Sequence, residues 1–233
     1  MRRDFNGIKV LAVDLIGTLA ERVGVTFAER ASQHLAKNGC TFTPAAFRGL
    51  FRKRYLEYSL GNYAGDQEFY SVLCADLSRE ACPWIEALTD IWLQCSPAFD
   101  DAQPFLEQAS RSHRLILSSN YVGDWARRLL ASNHWEKYFQ ALVVSSDCRF
   151  RKPSRQFFLE VLKVSGATSP NEILVIGDSL VNDVYGAARA GLHAVLLDRK
   201  TETGNHNFPE TVPRVYSLDE LVQSIVGKQS VSR

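Results

Sequence analysis

Long apolar runs, a charge excess of one sign and closely paired cysteines are all missing from this sequence, and each absence excludes a class of protein. No apolar stretch approaches the ~20 residues that a membrane-crossing helix needs. The N-terminal Met-Arg-Arg-Asp-Phe-Asn-Gly leads into no apolar signal segment, since the first run, Val10 to Leu15, contains Asp14. Lys and Arg number 27 and Asp and Glu 26, a net charge of +1. So even a balance predicts no global attraction to nucleic acid or to an anionic membrane. The five cysteines, Cys40, Cys74, Cys82, Cys95 and Cys148, are odd in number and scattered, with no C-x-x-C spacing. That argues against a disulfide framework or a cysteine zinc site and for a reducing, cytoplasmic compartment. His34, His113, His134, His193 and His206 show no metal-ligand spacing, and there is neither an internal repeat nor a low-complexity segment.

What is present is a chain of 233 residues, 45% of them hydrophobic, long enough for one large domain or a core with a modest insertion. Five short apolar runs read as strands: Lys9–Leu15, Arg114–Ser119, Ala141–Ser146, Ile173–Gly177 and Ala194–Asp198. Continuous runs of this length suit strands covered on both faces. Helical patterns separate the later ones, with Trp125 and Leu129 on one face, and Phe157, Phe158, Val161 and Leu162 on another. Pro153 sits where a first helical turn would accept it. This alternation predicts an α/β fold, a Rossmann-like parallel sheet. Between the first two strands the rhythm breaks, with no strand pattern from about residue 22 to about 97. Thr43-Pro44 starts a helix, and Phe47, Leu50, Phe51, Tyr55 and Tyr58 line its apolar face. Phe69 to Leu77 and Trp84 to Cys95 give two more. The expectation is an all-helical cap at 20–97 inserted into a core of 1–19 and 98–233. A polar loop at Thr201–Pro213 and a terminal helix near Ser217–Val226 complete it.

In a parallel α/β sheet, ligands bind at the carboxyl ends of the strands. Asp14 ends the first strand, Ser118-Ser119-Asn120 the second, and Gly177-Asp178-Ser179 the fourth, with Asn182-Asp183 close behind; Arg149-Phe150-Arg151-Lys152-Pro153 follows the third. Taken singly, each has a bland role: Asp14 as a turn former, Ser119 as a helix cap, Lys152 as a solvated lysine. Four strand ends with complementary chemistry argue for a site instead. Three carboxylates, Asp14, Asp178 and Asp183, against the one charge of Lys152 leave an imbalance that a divalent cation removes. Hard oxygen ligands favour Mg²⁺.

This order of motifs resembles the haloacid dehalogenase-like hydrolase superfamily over nearly the whole chain. The first motif of the family's phosphatases, D-x-D-G-T-L, appears as Asp14-Leu15-Ile16-Gly17-Thr18-Leu19. Ser119 fits the second, Lys152-Pro153 the third, and Gly177-Asp178-Ser179-Leu180-Val181-Asn182-Asp183 the fourth, G-D-S-x-x-x-D. The resemblance implies that Asp14 is the nucleophile, with Ser119 and Lys152 holding the transferring group. It implies that Thr18, Ser119, Asn120 and Lys152 contact substrate. It also implies Mg²⁺ on Asp14, the Ile16 carbonyl and Asp178, with Asp183 anchoring the metal's waters or Lys152. The expected substrate is a small phosphorylated metabolite, and the expected assembly a monomer or homodimer. The departure is Ile16, where family phosphatases carry an Asp that protonates the leaving group; isoleucine has no proton to give. General acid–base help is worth ~10²–10⁴-fold. Two alternatives stay open. One is a haloacid dehalogenase-type enzyme, whose halide needs no proton but whose fourth motif lacks the acid at Asp178. The other is a catalytically weak binding protein. The aromatic cap faces read most simply as cap core, Cys148 as an inert thiol, and Arg149 and Arg151 equally as a phosphate attractor or a solvated turn.

Overall fold

The computed structural model describes residues 5–63, 66–77, 85–199 and 211–225. In chain order its elements are β1 (Val10–Val13), α1 (Val25–Lys37), α2 (Pro44–Ser59), α3 (Asp66–Leu77), α4 (Ile85–Gln94), α5 (Ala102–Ala109), β2 (Arg114–Ser119), α6 (Gly123–Ser132), β3 (Phe139–Val144), α7 (Ser145–Cys148), α8 (Arg155–Ser165), β4 (Ile173–Gly177), a π-helical segment Leu180–Tyr185 running into α9 (Gly186–Arg189), β5 (His193–Leu197), β6 (Arg214–Val215) and α10 (Leu218–Ile225). No helix among the described residues is long and apolar enough to cross a membrane.

All pairings in the sheet are parallel, and the strand order is β3-β2-β1-β4-β5-β6. The sheet is thus Rossmann-like and covered on both faces. Leu11 and Val13 of β1 enter one apolar cluster with Phe105, Leu129 and Leu221. Val10 and Ala12 enter the other with Phe157, Val161 and Ala187. All four β1 residues are fully buried, which is why the strand reads as a continuous apolar run; each of its Val and Leu side chains contributes roughly 1.5–3 kcal/mol. The direction of winding reverses between β1 and β4, and that reversal opens a crevice at their carboxyl ends.

Between β1 and α5 the described elements are helices only. The chain leaves and re-enters the sheet region at one point. Ala20 and Ala98 form an antiparallel bridge, Glu21 N donates to Pro97 O at 2.8 Å, and Phe99 N donates to Leu19 O at 3.0 Å. Thr43 caps α2 as its sequence predicts: its hydroxyl accepts from Ala46 N at 3.2 Å, and Pro44 occupies the first turn. The aromatic faces of these helices pack on one another and on α6. Phe51 stacks on Trp125 at 5.6 Å, and Trp92 meets Trp125 at 4.9 Å. The Trp125 indole donates to the Tyr70 hydroxyl at 2.7 Å.

Several expectations are corrected. Helix α1 is not among the expected helices: Phe27, Ala28, Ala31, Ser32 and Leu35 form its buried face, but small residues make up much of it and Gly24 offers no side-chain cap. β3 ends at Val144, and Ser145 and Ser146 turn into α7. α8 is capped by Ser154, whose hydroxyl accepts from Phe157 N at 3.3 Å, so Pro153 lies before the cap and not in the first turn. β6 is two residues long, too short for any periodicity. Most of the loop expected at Thr201–Pro213 lies outside the described residues. Cys74 is disulfide-bonded, while Cys40, Cys95 and Cys148 are free; counting and spacing find repeating frameworks but miss a single bridge.

Candidate active site

The strand ends converge. Asp14 extends β1 by one more ladder bond, its N–H donating to Ile176 O at 2.8 Å. This holds its side chain at the crevice, where it is 7% exposed. Lys152, 3% exposed, reaches in from the loop after α7. Its ammonium donates to Asp14 Oδ1 at 2.7 Å, Asp183 Oδ1 at 2.5 Å and the Ser118 carbonyl at 2.9 Å. An ammonium has three donors, so all are engaged with the protein. Asn120 clamps the Lys152 backbone from both sides. Its Nδ2 donates to Lys152 O at 2.9 Å, and its Oδ1 accepts from Lys152 N at 2.7 Å.

Two glycines make this closeness feasible. A Cβ on Gly177 would lie 2.2 Å from Asp183 Cγ. A Cβ on Gly17, whose φ is +90°, would lie 2.1 Å from Asp178 Oδ2. Either would push a carboxylate out of place. Asp183 is held further by Ser179 N, which donates to its Oδ2 at 3.0 Å, and the Ser179 hydroxyl accepts from Asn182 N at 3.2 Å.

Carboxylate oxygens of Asp14, Asp178 and Asp183 lie within 4.8 Å of one another. One ammonium cannot neutralise all of them. Burial pushes the Asp14 carboxyl up to about 7, against the pull of Lys152 and helped by Asp183 and Asp178. Burial also raises Asp178, opposed by Arg22. Lys152 moves the opposite way from what its own burial dictates: Asp14 and Asp183 together outweigh desolvation and raise it. The shifts of Asp14 and Lys152 look contradictory for one ion pair. The charge count resolves them: Lys152 stays cationic, and the shortage of positive charge falls on Asp14. Asp178 meets Arg22, whose Nε donates to Oδ2 at 3.0 Å and whose Nη2 donates to Oδ1 at 2.9 Å and Oδ2 at 2.7 Å. Clustered hard oxygens short of positive charge, with glycine giving access to Asp178, fit a divalent cation.

Above this cluster is a cavity of about 380 Å³, within the range of small-molecule sites. Asp14, Ile16, Ser119, Asn120, Lys152, Asp178 and Asp183 all line it. Thr18 does not: it is fully buried, and its carbonyl accepts from Arg199 Nη2 at 2.8 Å. Of the basic pair flanking Lys152, Arg151 reaches the wall, with its Nη1 donating to the Ser59 hydroxyl at 3.1 Å, whereas Arg149 does not line the cavity. Cys148 donates to the Phe150 carbonyl at 3.3 Å, and burial raises its thiol, which leaves it unreactive. Phe51, Tyr55 and Trp92 line the cavity as well as packing the helical block. The sequence reading missed Arg22, Arg48 and Arg52, all on the wall. No local pattern marks them, because arginine on a helix or loop is ordinarily solvated.

A family profile described as haloacid dehalogenase-like hydrolase matches residues 8–191. The chain belongs to this family. Among curated relatives, a phosphoserine phosphatase of Thermus thermophilus is 30% identical over 180 residues, covering 76% of this chain and 66% of its own. An N-acylneuraminate-9-phosphatase of Mus musculus is 28% identical over 137 residues, covering 57% and 55%. The matched part is therefore under two thirds of either relative's length. Among solved structures, a 2-haloacid dehalogenase of Pseudomonas syringae superposes with a TM-score of 0.70 at 20% identity, covering 94% of this chain and 99% of its own. The HAD-hydrolase YfnB of Bacillus subtilis gives 0.64 at 21%, covering 92% and 96%. At these identities the structural likeness speaks for the fold alone, which phosphatases and dehalogenases share.

Proposed function

We propose that this chain is a Mg²⁺-dependent phosphatase acting on a small phosphorylated metabolite, with Asp14 as its nucleophile and the helical block at 20–97 as a cap over the site. The observation that carries the reading is the buried Lys152 ammonium shared by Asp14 and Asp183, beside Asp178, at the floor of a cavity. Lys152 occupies Asp14 Oδ1, which leaves Oδ2 to attack phosphorus. The bond from phosphorus to the leaving oxygen breaks, and water then cleaves the aspartyl phosphate, regenerating Asp14. Ser119, at the end of β2 and on the cavity wall, donates to a phosphoryl oxygen. Asn120 keeps Lys152 in place through its backbone. Asp14, the Ile16 carbonyl and Asp178 would hold Mg²⁺, with Asp183 fixing its waters, and the ion would offset the charge of the phosphoryl group. Ile16 donates no proton, so the leaving group departs unaided.

A dehalogenase reading draws on Ile16, because halide leaves without a proton, while Asp178 argues for a metal that such chemistry does not need. Mass spectrometry of protein quenched during turnover of acetyl phosphate separates them. The expected result is a phosphoryl adduct on Asp14, lost in Asp14→Asn along with turnover, and lost on chelation of Mg²⁺. Chelator-insensitive turnover of a haloacid would give the site to the dehalogenase reading.

A further inference from the structure

The cavity carries more positive charge than a phosphate monoester and its metal can use. Five cations line it, Arg22, Arg48, Arg52, Arg151 and Lys152, against the three carboxylates already described. The surplus is two positive charges, and a divalent cation raises it to four. A phosphate dianion returns it only to two.

The surplus is localised. Lys152 is paired with Asp14 and Asp183 and Arg22 with Asp178, while Arg151 keeps its charge but is anchored to the Ser59 hydroxyl. Among the described residues, Arg48 and Arg52 have no ion-pair or hydrogen-bond partner. They share one face of α2 with Phe51 and Tyr55 at helical spacings of three and four. Both arginines are exposed, and like charges four apart on a helix repel. A bound anion reverses that repulsion. A second observation points to a ligand. The Tyr121 hydroxyl is buried without a hydrogen-bond partner, and Tyr121 lines the same cavity. Buried hydroxyls are ordinarily hydrogen-bonded, so this one leaves a polar atom unpartnered in the cavity lining.

Resting on the phosphatase reading, we infer that the substrate is a phosphomonoester bearing a second anionic group, a carboxylate or another phosphate, which Arg48 and Arg52 of α2 bind while the phosphoryl group sits at Asp14. The arginine pair is suited to this because a guanidinium takes an oxyanion bidentately. Phe51, Tyr55 and Trp92 line the same cavity.

The test uses matched pairs: monophosphates of ω-hydroxy acids with two to six carbons, each beside the monophosphate of the diol of equal length. Affinity is measured by calorimetry on the Asp14→Asn protein in Mg²⁺, and kcat/KM on the wild type. At the best chain length the acid should bind and turn over at least tenfold better than its diol partner. That ratio should collapse toward one in Arg48→Gln/Arg52→Gln and shrink with added salt. Ratios within twofold at every length, including pairs that show no binding at all, overturn the inference. Turnover without acid preference would leave the phosphatase reading intact. Acid-selective binding without any turnover would leave the second anion site standing and remove the phosphatase.

Discussion

Replacing Lys152 with methionine keeps the length of the side chain and deletes its charge. The ammonium is 3% exposed and lies 2.7 Å from Asp14 Oδ1 and 2.5 Å from Asp183 Oδ1. Without it, two buried carboxylates lose their counter-charge, and breaking a buried pair in this way costs about 3–5 kcal/mol. For a chain of this size each kcal/mol moves Tm by about 2–4 °C, so the metal-free variant should melt roughly 6–20 °C lower near pH 8. The pH dependence separates charge from packing. Asp14 sits at about 7 in the folded chain against 3.8 for an ordinary aspartate. A carboxyl raised on folding adds stability below its unfolded pKa and loses it as pH rises through the folded value. Lys152 is what restrains that rise, so in Lys152→Met the carboxyl goes higher still. Near pH 5 Asp14 holds its proton in both proteins; near pH 8 the wild type ionises beside an ammonium and the variant has none. The Tm difference should therefore widen from pH 5 to pH 8, in thermal melts followed by circular dichroism in chelator. An equal difference at both pH values would refute the argument and assign the loss to packing.

Arg22→Gln frees Asp178 from a bidentate partner. Arg22 is 59% exposed, so the pair is worth at most ~1 kcal/mol, and Mg²⁺ should bind up to about fivefold tighter by calorimetry; weaker binding would show that Arg22 helps hold the metal. The wild type should show a steep dependence of kcat on leaving-group pKa, with acyl and aryl phosphates ahead of alkyl ones. Ile16→Asp should raise alkyl phosphate turnover by ~10-fold or more; a flat dependence in the wild type would mean that another group supplies the proton. Gly177→Ala forces a Cβ to within 2.2 Å of Asp183 Cγ, and overpacking of this kind costs about 1–3 kcal/mol in denaturant melts; an unchanged midpoint would show that Asp183 can move freely.

Legibility followed physical scale. β2 and β4 were readable to the residue because buried parallel strands expose no polar side. α2 was readable from its cap and α10 from its strong apolar face. α1 and α5 were not, since alanine marks much of their buried faces, and alanine also suits exposed helix. Among site residues, Asp14, Ser119, Asn120, Lys152, Asp178 and Asp183 carried a signal because each ends or closely follows a strand. Arg22, Arg48 and Arg52 carried none, since arginine on a helix or loop is ordinarily solvated.

Local sequence alone determined the parallel sheet, the helical block after the first strand and the acidic rim, because short-range periodicity and strand-end chemistry are written within a few residues of each other. Tertiary structure decided how the rim's charges are shared. Which carboxylates receive Lys152, which receives Arg22 and which arginines remain over depends on contacts between residues 138 and 156 positions apart. It also turned Asn120 into the clamp on Lys152 and drew Thr18 away from the cavity wall. Electrostatic pairing is set by distance and burial in space, and neither is encoded by the spacing of charges along the chain.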